Sequence, residues 1–74
     1  MGRILKDYEI NPDGVHIHIE WSRFVIGASF FIPCINTDKA IRQITKIVGT
    51  MEAQIRYTVR AEGGKWGVRV WRTL

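Results

Sequence analysis

Cysteine, proline and long apolar runs are what this sequence has least of. One cysteine, Cys34, among 74 residues excludes an internal disulfide framework and any multi-cysteine zinc site. Packing must therefore carry the stability, and a reducing cytoplasm is the natural compartment. With two prolines and seven glycines there is no Pro/Ser-rich linker, no low-complexity tract and no internal repeat. That points to one domain over 1–74, with 1–14 as an N-terminal segment and turn and 15–74 as the core. No apolar run approaches the roughly 18 residues that span a bilayer, and residues 1–7 lack the apolar stretch of a signal peptide. Neither membrane insertion nor secretion is expected. Acidic residues are scarce in one half only: residues 1–38 carry three Lys/Arg against five Asp/Glu, whereas residues 39–74 carry eight against two. The net charge of +4 thus divides into −2 and +6.

What is present is globular composition, 46% hydrophobic and 24% charged. A chain this short buries only about 60% of the surface its unfolded form exposes, so its stability is modest. Asn11-Pro12-Asp13-Gly14 has the Pro and Gly placement of a tight turn. Before it, Asp7-Tyr8-Glu9-Ile10 alternates weakly; after it, Val15, Ile17 and Ile19 alternate with His16, His18 and Glu20, which predicts a strand over 15–20. The apolar run 28–32, ended by Pro33, reads as a strand buried on both sides.

Asn36 or Thr37 caps a helix with Asp38 in its first turn, and the helix runs to about Met51 or Glu52, with Gly49 late at its margin. At 100° per residue, Ala40, Ile41, Ile44, Ile47, Val48 and Met51 share an arc of about 120°, opposite Lys39, Arg42, Gln43 and Lys46. Residues 54–60 and 66–73 alternate as strands, joined by a turn over 61–65 with paired glycines. The expected fold is α+β: an antiparallel sheet of three to five strands on one amphipathic helix, in the order β-β-α-β-β. The helix buries its apolar face on Ile55, Tyr57, Val59, Val68 and Val70.

The other face of that hairpin presents Arg56, Thr58, Arg60, Arg69 and Trp71 together. Arginine offers fork-shaped donors to phosphates and base edges, and an indole offers a stacking surface. Two readings follow: Arg56, Arg60, Arg69 and Trp71 form a nucleic-acid-binding surface, or the face is merely solvated, with Trp71 covered by Val15, Ile17 and Ile19. Lys39, Arg42 and Lys46 form a secondary basic face on the helix back, for which solvation is the simpler account. His16-x-His18-x-Glu20 has the minimum composition for a divalent metal, but its spacing is unspecific and no metal is expected. Cys34 has no readable base beside it and reads as core. Nucleotide-binding glycine loops and nucleophile elbows are missing, Glu62-Gly63-Gly64-Lys65 reads as a hairpin turn, and no cofactor is implied. A non-enzymatic protein is expected.

Trp21, Gly27-Ala28-Ser29-Phe30-Phe31-Ile32-Pro33 and the ending Gly67-Val68-Arg69-Val70-Trp71-Arg72 resemble a family of small bacteriophage proteins. That family carries a Trp, a Gly-x-Ser-Phe-Phe-Ile/Val-Pro segment, a helix, an Arg-bearing strand and a terminal Gly-Val-Arg-Val-Trp-Arg. The resemblance covers residues 21–72 and implies a phage-encoded protein acting in the host cytoplasm, with a strand-helix-strand-strand core. It brings no activity with it, so no functional residue is transferred. Many members begin with a Pro- and basic-rich segment, where this chain has the alternation of 15–20.

The leading expectation is a phage accessory protein that binds DNA through the outer face of its C-terminal hairpin, as a possible homodimer. The alternative is a protein-interaction module that takes over a host protein such as RNA polymerase or a defence factor, since Trp and Arg also dominate protein interfaces. A structural component of the virion is the third.

Overall fold

The computed structural model describes residues 9–74. A 3-10 turn at Trp21–Arg23 precedes strand β1 (Ser29–Pro33), helix α1 (Thr37–Thr50) and strands β2 (Ile55–Glu62) and β3 (Lys65–Arg72). The sheet order is β1-β3-β2, and β3 is antiparallel to both neighbours. β1 and β2 therefore run parallel, with the helix crossing between them and β3 returning into the gap.

The helix forms where its signals predict. Asn36 caps it, its side-chain oxygen accepting the Lys39 N–H at 3.1 Å, and Asp38 sits in the first turn. Ala40, Ile44, Ile47 and Val48 are buried, with Ile41 and Met51 packed partly against the same cluster. Gly49 lies within the helix. The end is a Schellman-type closure: the Ala53 N–H donates to Val48 C=O at 3.0 Å and the Glu52 N–H to Gly49 C=O at 3.3 Å, with Glu52 at φ 57°.

The C-terminal hairpin is longer and tighter than expected. Only Gly63 and Gly64 turn the chain, at φ 57° and 79°, so the strands extend to Glu62 and from Lys65. Two successive positive φ angles fit a type I′ turn, which matches the twist of the flanking strands. Gly67 meets a second requirement. A Cβ there would run into the Ile32 carbonyl and come within 2.8 Å of the Phe31 ring, so only glycine lets β1 approach at this point.

Three expectations are corrected. Residues 15–20 are not a strand: a single bridge joins Ile10 to Ile17, and the chain then passes to the 3-10 turn. The turn before it does form, Gly14 N–H donating to Asn11 C=O at 3.0 Å. Side chains of that turn then hold it to the helix rather than to a sheet. Asp13 accepts the Ile35 and Asn36 N–H groups at 2.8 and 2.9 Å, and Asn11 exchanges two hydrogen bonds with Gln43. The second correction concerns β1, which is an edge strand with only Ile32 buried, and not a strand covered on both faces. Third, among the described residues the order is β-α-β-β and not β-β-α-β-β, while the three-stranded sheet lies within the expected three to five; of the weak alternation before the turn, Asp7 and Tyr8 lie outside the described residues.

The core contains Ile10, Phe24, Ile32, Cys34, Ala40, Ile44, Ile47, Val48, Val68 and Val70. Of the five expected floor residues, Val68 and Val70 are fully covered and Ile55 half, but Tyr57 and Val59 remain exposed. The 10–24 segment takes the remaining space on the helix side, where the Phe24 ring lies 4.7 Å from Phe30 and Trp21 meets both rings edge-on. That segment and α1 together cover β1, β3 and the Ile55 end of β2, and leave Tyr57 and Val59 open.

Candidate nucleic-acid interface

Strand alternation and register assemble the outer face in rows. Ser29, Trp71 and Arg56 share one row, Phe31, Arg69 and Thr58 the next, then Pro33, Gly67 and Arg60, and finally Lys65 opposite Glu62. Arg56, Arg60, Arg69 and Trp71 are thus brought to one surface, as their spacing predicts. Val15 is exposed to solvent, and Ile17 and Ile19 pack against the core cluster and not over Trp71.

The cations are not equivalent. Arg69 donates through Nε to Glu62 Oε2 at 2.9 Å, through Nη2 to Glu62 Oε1 at 2.5 Å and through Nη1 to Ser29 Oγ at 3.1 Å. Its guanidinium also lies 5.8 Å from the centre of the Phe31 ring. Arg60 donates to the same carboxylate at 2.7 Å while its guanidinium stands 5.5 Å over the Trp71 ring. These contacts hold Glu62 down to about 2 from its usual 4.5, first through the Arg69 hydrogen bond, which outweighs the opposing desolvation, and then through Arg60. Glu62 in turn raises Arg69, so that guanidinium is charged at every accessible pH.

Arg56 is exposed and has no ion-pair partner among the described residues. It stands opposite Trp71, and with Thr58, Arg72 and Thr73 the two line an open groove of about 490 Å3. Arg56, Arg60, Arg69 and Lys65 against Glu62 leave this face at +3. Arg69 is the fixed anchor of the group, Arg60 is exposed but positioned on the indole, and Arg56 and Lys65 are the exposed cations with no ion-pair partner among the described residues.

Glu62 is the residue that sequence reading missed. A turn over 61–65 separates it from Arg60, whereas with the two-residue turn that forms, Arg60-x-Glu62 places both on one side of the strand. The other candidate groups lie elsewhere. Arg42 and Lys46 are exposed and Lys39 half-buried on the helix back, on the far side of the molecule from the sheet face. His18 pairs with Glu20 at 3.3 Å and His16 with Glu9 at 3.6 Å, and no group of three or more His, Cys, Asp or Glu among the described residues is placed to hold a metal ion. Cys34 is buried in the core, and desolvation raises its thiol above the usual value.

No helix among the described residues is long and apolar enough to cross a membrane. No family model, curated protein or solved structure matches the chain.

Proposed function

We propose that this chain is a non-enzymatic phage accessory protein that binds DNA on the outer face of its sheet. The observation that carries the reading is the row of Arg56 and Trp71 beside Arg60, left uncovered by the described residues while the helix packs on the opposite face. The Glu62–Arg69 pair fixes Arg60 over the indole, which reduces the entropy lost when that guanidinium meets a phosphate. The phage assignment is supported by the resemblance over residues 21–72. The +6 of the second half supplies the field that an anionic partner responds to.

A gel-shift with mixed DNA and RNA at two salt concentrations tests it. About three phosphate contacts, from Arg56, Arg60 and Lys65, give a log-log salt slope near about −3 on duplex DNA. Arg56→Glu should weaken binding at least about tenfold while leaving the contacts of Glu62 with Arg60 and Arg69 within the chain intact, and Trp71→Ala should weaken it on single strands most. Failure of the wild-type chain to bind at low salt overturns the reading. Capture of a host protein that survives moderate salt would favour the interaction-module alternative instead.

A further inference from the structure

The sheet has two edges, and the chain treats them differently. β1 is five residues long, ends in Pro33, and has residues 17–20 running beside it across a groove of about 250 Å3. β2 is eight residues long and contains no proline, and among the described residues nothing pairs with its outer edge. A long unpaired strand of this kind is a template for another strand.

The backbone groups on that edge can be assigned. The two-residue turn makes Glu62 and Lys65 a hydrogen-bonded pair, and the alternation of an antiparallel ladder then directs Arg56, Thr58, Arg60 and Glu62 toward β3. The Thr73 N–H donating to the Gln54 carbonyl at 2.8 Å continues the same parity. The N–H and C=O groups of Ile55, Tyr57, Val59 and Ala61 therefore point outward from the edge. On the helix side, these residues border the apolar surface that α1 leaves bare: Tyr57 is 48% exposed, Val59 37% and the nearby Trp66 49%.

We infer that β2 pairs antiparallel with β2 of a second copy, about a two-fold axis at Val59. In this register Arg56 stands opposite Glu62 of the second copy, twice over, Thr58 stands opposite Arg60, and Tyr57 stands opposite Ala61. Val59 meets its own counterpart. Sliding to the next in-phase register in one direction puts Arg56 opposite Arg60; sliding in the other puts Arg60 opposite Arg60. Directly opposed like charges destabilise a strand pair, so the charge pattern selects the Val59-centred register. Apolar complementarity selects it as well. Ala61 is small and lies beside Trp66 in the register of the hairpin, so the second copy's Tyr57 ring and the Trp66 indole close over it. The product is a six-stranded sheet with both helices on one side and the two basic faces continuous on the other.

Self-association on this edge does not depend on the DNA reading, and it is measured without nucleic acid. Light scattering over micromolar to millimolar concentration should show the wild-type mass rising toward twice the 8.6 kDa of one chain. Val59→Pro removes an outward N–H that the hairpin does not use, and it should hold the chain at one-chain mass. Arg56→Glu alone and Glu62→Arg alone should each be monomeric, and an equimolar mixture of the two should regain the dimer because every cross-strand pair is again of opposite sign. A wild-type chain monomeric throughout, or a Val59→Pro chain that remains dimeric, overturns edge pairing. Monomers in the mixture overturn the register. If Val59→Pro or Glu62→Arg loses its helical circular dichroism, Arg56→Glu decides: its fold is spared, and a dimer that persists in it overturns the proposal.

Discussion

The helix-side face of the sheet and its outer face alternate along the same strands and differ in almost everything else. Val68 and Val70 are 1% exposed, while Arg69 and Trp71, one residue away in each case, stand on a surface that no described helix covers. Among the described residues, one helix and the 10–24 segment cover most of one face and leave Tyr57, Val59 and Trp66 exposed at its margin. The covered face is held by apolar burial, which is insensitive to charge. The open face is held by a carboxylate shared between two arginines, so its order is electrostatic and its apolar parts, Trp71 and Phe31, are capped by guanidinium groups.

The largest expected effect separates the two faces directly. Ile44→Ala removes a fully buried side chain beneath the helix and should cost about 3 kcal/mol in a denaturant titration, a large share of a total on the order of 5–10 kcal/mol. Arg56→Ala on the open face should stay within about 0.5 kcal/mol of wild type. Equal losses from the two would break the comparison.

Acid sharpens it from the other side. Glu62 titrates at about 2 in the fold against its usual 4.5, so the stability it contributes is present above pH 4.5 and is lost as pH falls toward 2. Glu62→Gln should flatten that part of a pH–stability profile. It should also free Arg60 and Arg69, which exposes whether the outer face keeps its arrangement without the carboxylate. A wild-type profile already flat between pH 4.5 and 2 would remove the electrostatic account.

Smaller effects test the helix that makes the covered face. Asn36→Ala removes the cap on Lys39 N–H and should cost about 1 kcal/mol. Glu52→Gly relieves a side chain held at φ 57° and should raise stability by about 0.5 kcal/mol, seen as a small upward shift of the thermal midpoint. A loss of stability there would mean that Glu52 makes a contribution the closure geometry does not explain.

Much of this was legible from residue spacing because it depends on local periodicity. The helix face from Ala40 to Val48, its cap at Asn36, and the alternation of Arg56 and Arg60 with Tyr57 and Val59 follow from periods of 3.6 and 2. What misled was the same periodicity applied to residues 15–20. Val15, Ile17 and Ile19 alternate as a strand would, but Asp13 is bonded to the helix N-terminus and Asn11 to Gln43, so the segment is carried to the helix and meets the sheet only with side chains. The apolar run ending at Pro33 misled in a related way. An apolar run reads as central, yet Phe31 lies across Gly67 on the outer face and Phe30 is shared with Trp21 and Phe24, so its burial comes from aromatic neighbours at an edge.

By itself, the sequence determined one amphipathic helix, one glycine-turned hairpin and an arginine-and-tryptophan face, since each is fixed by interactions among residues close in the chain. Tertiary structure alone decided the strand order β1-β3-β2, which of the arginines are locked by Glu62 and which stays open, and that β2 is the strand whose outer edge no described residue pairs with. Those outcomes depend on which distant segments compete for the single covered face. No local period records the result of that competition.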